Sequence, residues 1–329
     1  VFESTPLLIS SLTIGLFLWW MVFYYKALLS ENFRFNEKLG CFLKKISEER
    51  KRIYLGLILF SALVIRFFYI WHPQEYVFDE VYHGFTAQEM AKGNKKAWEW
   101  WNTPPEGFAY EWTHPPLAKL IMTGGVLLFG KNNRTTQYAF RFPAIFFGVG
   151  VIWLSYLLAK EIFKSEKIAL FSAFILCFDG LLFVMSRVGM TDVYFLFFLL
   201  ATILLVLKQK YFFSGLSLGG AIACKWTGLY LYPVIGLILL RRFFKKRKIN
   251  LKTIFKLLLL FTIYYLLFTI FVYFLSYLPF FTSGHTWRQF VELQKQMWWY
   301  HTNLKASHNY QSQAWTWPLM LRPVWFWVK

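Results

Sequence analysis

Nine apolar runs follow one another along this 329-residue chain, and the short segments between them carry most of its basic residues. The runs cover residues 7–29, 53–71, 117–129, 139–159, 168–185, 192–207, 211–224, 226–240 and 253–281. Several exceed the ~18 residues needed to span lipid as a helix. Inside lipid a backbone must satisfy its own N–H and C=O groups, which leaves helices as the natural form for runs of this kind. The chain therefore reads as an all-α polytopic membrane protein. Its charged fraction agrees: 16% against roughly 25% for soluble domains.

Basic loops orient the runs. Segments 31–52 and 241–252 are the strongest, with smaller ones at 160–167 and 208–210, and all four are expected on the cytoplasmic side. This pattern also accounts for the net charge of +19 without a nucleic-acid partner, for which no motif is present. Seven crossings between residues 53 and 281 satisfy the loops if 117–129, at 13 residues, is interfacial or re-entrant. In the competing arrangement 117–129 crosses and another assignment fails locally. Residues 1–30 are expected to form an extra N-terminal transmembrane helix, and 31–52 a basic cytoplasmic linker. Residues 53–281 form the core, with a large external loop at 72–116. Residues 282–329 form a further external loop leading into a truncated transmembrane region. Both ends of the chain read as cut. No repeat and no low-complexity segment is found.

Three aspartates occur in the whole chain, Asp79, Asp179 and Asp192, all where apolar stretches end: Asp179 parts the run at 168–185 into two stretches, and the others flank runs. The crossing scheme puts them on or near the outer side, with Lys225 and all six histidines. Adjacent carboxylates beside lipid, Asp79 and Glu80, are costly unless they have a task. One such carboxylate can take a proton from a hydroxyl as its oxygen attacks an electrophile. Two neighbouring carboxylates can take different roles, because each raises the other's cost of ionising. Pro115 and Pro116 fix an extended approach to a helix at Leu117 and aim His114 at the interface. Trp112 suits stacking on a sugar face. Arg141, Arg187 and Lys225 sit at ends of apolar runs, where a cation can hold a lipid phosphate. Each also has a plainer reading as a snorkelling or helix-end charge. His301 and His308 are seven apart, too few ligands for a metal site. Cys41, Cys177 and Cys224 lie far apart and suggest neither a disulfide framework nor zinc.

Four stretches in order resemble the protein O-mannosyltransferases, in the bacterial branch that uses polyprenyl-phosphate-mannose. They are Phe78-Asp79-Glu80-Val81-Tyr82; His114-Pro115-Pro116-Leu117-Ala118-Lys119; residues 223–228 with Lys225-Trp226; and Tyr300-His301 through Ser307-His308, Trp317-Pro318 and Arg322-Pro323. The resemblance covers about residues 53–329. It implies a multi-span glycosyltransferase of the C-type superfamily that moves mannose, with inversion, from a polyprenyl phosphate to Ser or Thr hydroxyls of proteins outside the membrane. Asp79 then matches the acidic catalytic position, with Glu80 beside it. Arg141 and Lys225, joined by Arg187, suit the donor phosphate. His114, Trp112, Lys119, Asp192, His301 and His308 are expected to bind substrate or shape the site. No cofactor is required by this scheme, which leaves a divalent metal open. The expected partners are the lipid donor, a protein or peptide acceptor and membrane lipids. The expected location is the cell membrane, with the site facing outside. Rival readings are transfer of another lipid-linked sugar such as arabinose or aminoarabinose, a transporter, and a catalytically dead scaffold subunit.

Overall fold

The structure is a computed structural model that describes residues 37–130, 138–246, 251–305, 312–313 and 315–316. The expected helix at 1–30 and the residue His308 lie outside the described residues. Two compact units divide the chain at residues 1–58 and 59–329. The first is described through the opening part of helix α1 (Glu37–Phe67), which takes in the basic stretch after residue 36. The site belongs to the second unit.

Among the described residues, helices fall where the apolar runs predict them and no strand occurs. A 3-10 turn at Phe78–Val81 leads into α2 (His83–Ala91), and a second at Lys95–Trp98 follows. Then come α3 (Leu117–Phe129), a 3-10 turn at Ala139–Arg141, and α4 (Phe142–Phe163). The run at 168–185 is broken at Asp179, so α5 (Glu166–Phe178) and α6 (Gly180–Met185) are separate helices. The Asp179 carboxylate accepts the Leu182 N–H at 2.7 Å and caps α6, satisfying a donor the helix start leaves open. Next are α7 (Asp192–Leu207), α8 (Tyr211–Cys224), a 3-10 turn at Trp226–Tyr230, and α9 (Leu231–Lys246). The last run holds α10 (Leu251–Leu260), a π segment at Phe261–Leu267, α11 (Phe268–Ser276) and α12 (Leu278–Thr282). Finally α13 (Trp287–Asn303) opens with Thr286 and Gln289 in a capping box.

Two helical stretches among the described residues are long and apolar enough to cross a membrane, Ala139–Phe163 with 25 residues and Ile254–Thr282 with 29. At ~1.5 Å per residue they reach about 37 and 43 Å, against a hydrocarbon core of about 30 Å. Helices α3, α7 and α8 are apolar but shorter. Helix α4 packs on α5 and α7, α7 on α8, and α8 on α11 and the π segment. The last contact needs glycine: a Cβ on Gly215 would sit 1.7 Å from the Tyr264 carbonyl oxygen.

A charge inside the apolar run at 53–71 was not singled out by sequence. Arg66 is fully buried near the end of α1. Its Nε donates to Ser186 Oγ at 2.7 Å, and Nη1 to the carbonyls of Ala62 and Cys177 at 3.3 Å. It thereby ties α1 to the turn that carries Arg187. At the other end, α13 buries Phe290, Leu293 and Met297, spaced to share one helix face, against Trp98, Tyr277 and Phe280.

Candidate active site

Asp79 and Glu80 share a 3-10 turn but not an environment. Phe78, immediately before them, has φ 52°, a conformation uncommon for a residue with a side chain and one that sharply redirects the chain. Glu80 turns inward and is 0% exposed. Its Oε1 accepts from Arg141 Nε and the Gly189 N–H, both at 2.8 Å. Its Oε2 accepts from Arg141 Nη2 at 2.5 Å and the Val77 N–H at 2.9 Å. A Cβ on Gly189 would meet the Phe140 ring at 2.7 Å, so the residue's bareness is what lets its N–H reach Glu80.

Arg141 is consumed by this arrangement. A guanidinium has five N–H bonds. Two go to Glu80, and the others to the carbonyls of Ile70 at 3.4 Å, Pro73 at 3.0 Å and Glu75 at 2.8 Å. The expectation that Arg141 holds the donor phosphate meets a side chain that is 1% exposed and has no N–H left to offer. The expectation of a chemical role for Glu80 likewise meets a carboxylate with no open lone-pair direction toward a substrate. Together they brace the turn that presents Asp79.

Asp79 itself is half-buried and looks the other way. Burial pushes its carboxyl above the ordinary Asp value, and the charges of Asp192 and Glu111 add to this against the opposing pull of His114 and Lys225. Those four residues define its surroundings. Lys225 Nζ donates to Asp192 Oδ1 at 2.9 Å, and both side chains remain open, 28% and 36% exposed. Asp192 is the first residue of α7 and Lys225 follows the last of α8, so two helix ends deliver the pair.

Glu111 is the hub of a second, dry cluster. It is 6% exposed. Its Oε1 accepts from His114 N–H at 3.1 Å and Thr113 Oγ1 at 2.5 Å, and pairs with His114 Nδ1 at 2.9 Å. Its Oε2 binds Lys119 Nζ, and His83 Nδ1 stands 3.7 Å away. Lys119 also donates to the carbonyls of Glu111 at 2.7 Å and His114 at 2.9 Å. Burial pushes the Glu111 carboxyl up, but Lys119 and His114 outweigh it and hold it well below the ordinary Glu range. Burial pushes His83 down to about 4. Neither Glu111 nor His83 was among the sequence-selected site residues. The readable signal for Glu111 is its place three residues before His114.

The end of α13 closes over this cluster. His301 Nε2 meets the Thr113 carbonyl at 2.8 Å, and its ring lies 5.5 Å from His114 and 6.0 Å from Trp226. Tyr300 meets Trp112 edge-on at 5.7 Å. A small pocket, about 240 Å³ with its open mouth, is lined by Glu111, Trp112, His114, Lys119, Trp98 and Tyr277 among others. Arg187 stands apart from this group. It donates to the Phe68 carbonyl at 2.7 Å and lies over the Phe183 ring at 5.0 Å. No group of three or more His, Cys, Asp or Glu side chains suited to a metal occurs among the described residues.

The chain matches known proteins along most of its length. The family model of dolichyl-phosphate-mannose-protein mannosyltransferases matches residues 56–287, and that of the C-terminal four-span region of protein O-mannosyltransferases matches residues 286–329. A polyprenol-phosphate-mannose–protein mannosyltransferase of Mycobacterium tuberculosis is 25% identical over 83% of this chain and 62% of its own length. The like-named protein of Mycolicibacterium smegmatis is 23% identical over 82% and 62%. Dolichyl-phosphate-mannose–protein mannosyltransferase 1 of Candida albicans is 28% identical over 60% of this chain and 24% of its own length. The chain thus spans 62% of the length of the two mycobacterial relatives and 24% of the Candida albicans one, less than two thirds of each. Among solved structures, the Saccharomyces cerevisiae protein O-mannosyltransferase Pmt1–Pmt2 complex bound to the sugar donor shares the fold, with a TM-score of 0.57 and 24% identity over 73% of this chain and 34% of that one.

Proposed function

The chain belongs to the dolichyl-phosphate-mannose-protein mannosyltransferase family, and from that membership we propose that it moves mannose from a polyprenyl phosphate to Ser or Thr hydroxyls of proteins at the outer membrane face, inverting the anomeric centre. The mycobacterial relatives are named for a polyprenol-phosphate-mannose donor and a protein acceptor, which supports that choice of substrates. The observation that carries the reading is the shared neighbourhood of a half-buried carboxylate, Asp79, and an open cation, Lys225. Displacement at a sugar phosphate needs a base on one side of the anomeric carbon and a positive charge on the other.

In this scheme Asp79 takes the proton of the acceptor hydroxyl as its oxygen bonds to the anomeric carbon. The bond from that carbon to the phosphate oxygen breaks, and the lipid phosphate leaves with the electron pair. Lys225 meets its charge. Glu80 and Arg141 hold the Asp79 turn in place, and Glu111 with Lys119 holds His114. Trp112, Tyr300 and His301 border the path to the site and suit sugar or peptide contact.

The test is incubation of the purified protein with polyprenyl-phosphate-mannose and a Ser/Thr-rich peptide, read by mass. A gain of one hexose per site is expected, with an inverted linkage by NMR. Transfer from an arabinosyl or aminoarabinosyl donor in place of the mannosyl one, or uptake of substrate across vesicles without transfer, would overturn the reading.

A further inference from the structure

Asp192 is the one carboxylate near Asp79 that is both open and incompletely used. Glu80 and Glu111 are dry and saturated with donors. Asp192 is 36% exposed on its side chain, and Lys225 binds one of its two oxygens. The second oxygen, Oδ2, has no hydrogen-bond donor among the described residues. The carboxylate also sits in the first turn of α7, where the helix N-terminus favours negative charge. One of its oxygens is thus engaged and the other is open to a further donor.

Its location has a consequence for the reaction proposed above, on which this inference rests. In-line displacement puts the sugar between the base and the cation that meets the phosphate. Asp192 touches the cation Lys225 directly and is the foremost charged neighbour of Asp79. A group adjacent to both ends of the displacement borders the space between them, and that space is the sugar's. A carboxylate oxygen there accepts from a hydroxyl, since sugar hydroxyls supply donors and an ionised carboxylate can only accept.

We propose that Asp192 binds the transferred sugar: its Oδ2 accepts a hydrogen bond from a ring hydroxyl of the mannosyl group, while Oδ1 keeps Lys225 turned toward the phosphate. Asp192 is then a determinant of sugar choice, because a site built around a hydroxyl rejects an analogue that lacks it. It transfers no proton in the reaction, which remains the work of Asp79.

The experiment pairs the isosteric variant Asp192→Asn with mannosyl donors deoxygenated singly at each ring hydroxyl. For the wild type, one deoxy donor should lose about tenfold to a hundredfold in kcat/KM, the size of a hydrogen bond to a charged group. Asp192→Asn should lose a similar factor on mannose, and little more on that same deoxy donor, since the bond is already gone. Comparing two donors on one preparation cancels any difference in the folded fraction. The acid limb of the rate should also move to lower pH in the variant, because the charge that helps raise Asp79 is removed. A merely structural role would leave the donor ratio unchanged, since a general loss falls equally on every donor. Losses that multiply for every deoxy donor would overturn the assignment while leaving the mannosyltransferase reading intact. A wild type that transfers no mannose would overturn both.

Discussion

Arg141 separates a donor-binding cation from an architectural one, and its removal can be worked through from the structure. In Arg141→Ala the Glu80 carboxylate stays at 0% exposure with two of its four donors gone, leaving only the N–H groups of Val77 and Gly189. Removing one member of a buried ion pair typically costs about 3–5 kcal/mol, because the other charge is left uncompensated. The carbonyls of Ile70, Pro73 and Glu75 lose their donors as well. The single variant should therefore unfold at a clearly lower temperature in detergent, followed by tryptophan fluorescence. The double variant Glu80→Gln with Arg141→Met removes both charges and should recover part of that loss, so a double-mutant cycle should show strong coupling. In the folded fraction, donor KM should change little and kcat should fall, since the turn that presents Asp79 is loosened. An Arg141→Ala protein of unchanged stability with a donor KM raised severalfold would refute this reasoning and return Arg141 to the phosphate.

Asp79→Asn keeps the shape and removes most of the basicity, so turnover should fall by at least ~10²-fold with folding intact; a near-normal rate would exclude Asp79 as the base. In the wild type the acid limb of kcat/KM should lie above the ordinary Asp value, because burial and Asp192 raise Asp79; a limb at or below that value would contradict the geometry. His83, pushed from 6.5 down to about 4, binds a proton more readily when unfolded, so stability should be full above pH 6.5 and decline as pH falls toward 4. The contribution is roughly 3 kcal/mol at ~1.4 kcal/mol per unit, and unfolding of His83→Gln should lose that part of the slope. Glu111→Gln leaves Lys119 buried beside a neutral group and should cost ~3–5 kcal/mol, measured by thermal unfolding; an unaltered midpoint would mean the cluster carries no net charge pair. Single cysteines near Glu106 should react with an impermeant reagent from outside, and those near Lys246 only after permeabilisation; the reverse would invert the proposed orientation.

Helix positions were legible because lipid leaves a backbone few choices. The run at 117–129 is copied residue for residue by α3, and 192–207 and 211–224 by α7 and α8. The break at Asp179 was not marked as a helix boundary, and its bond to Leu182 shows that the carboxylate caps the second helix. Partnership was not legible at all across long separations. Nothing in the sequence says that Glu80 faces Arg141, 61 residues away, or that Gly189 supplies a donor from a third segment. Arg141 and Lys225 looked alike as cations at the ends of apolar runs. Burial separates them: one lies at the convergence of three segments, the other at a helix end facing open space.

That separation matches what a transferase site has to do. A site of this kind alternates between an empty state and one holding a lipid phosphate, so its cation must change partners at little cost. Ion pairs open to water are worth about 0–1 kcal/mol. The Lys225–Asp192 pair is of this open kind, and on the proposed reading Lys225, with three N–H donors, can keep Asp192 and take up a phosphate oxygen or release it without stranding a buried charge. The Glu80–Arg141 pair cannot exchange in this way, because each of its charges would be stranded in a dry setting. Glu111 and Lys119 are in the same position. On the proposed reading the dry pairs fix the geometry and the open pair handles the substrate, with Asp79 set between them at intermediate burial. Its carboxyl is covered enough to be raised as a base, yet open enough to meet a hydroxyl.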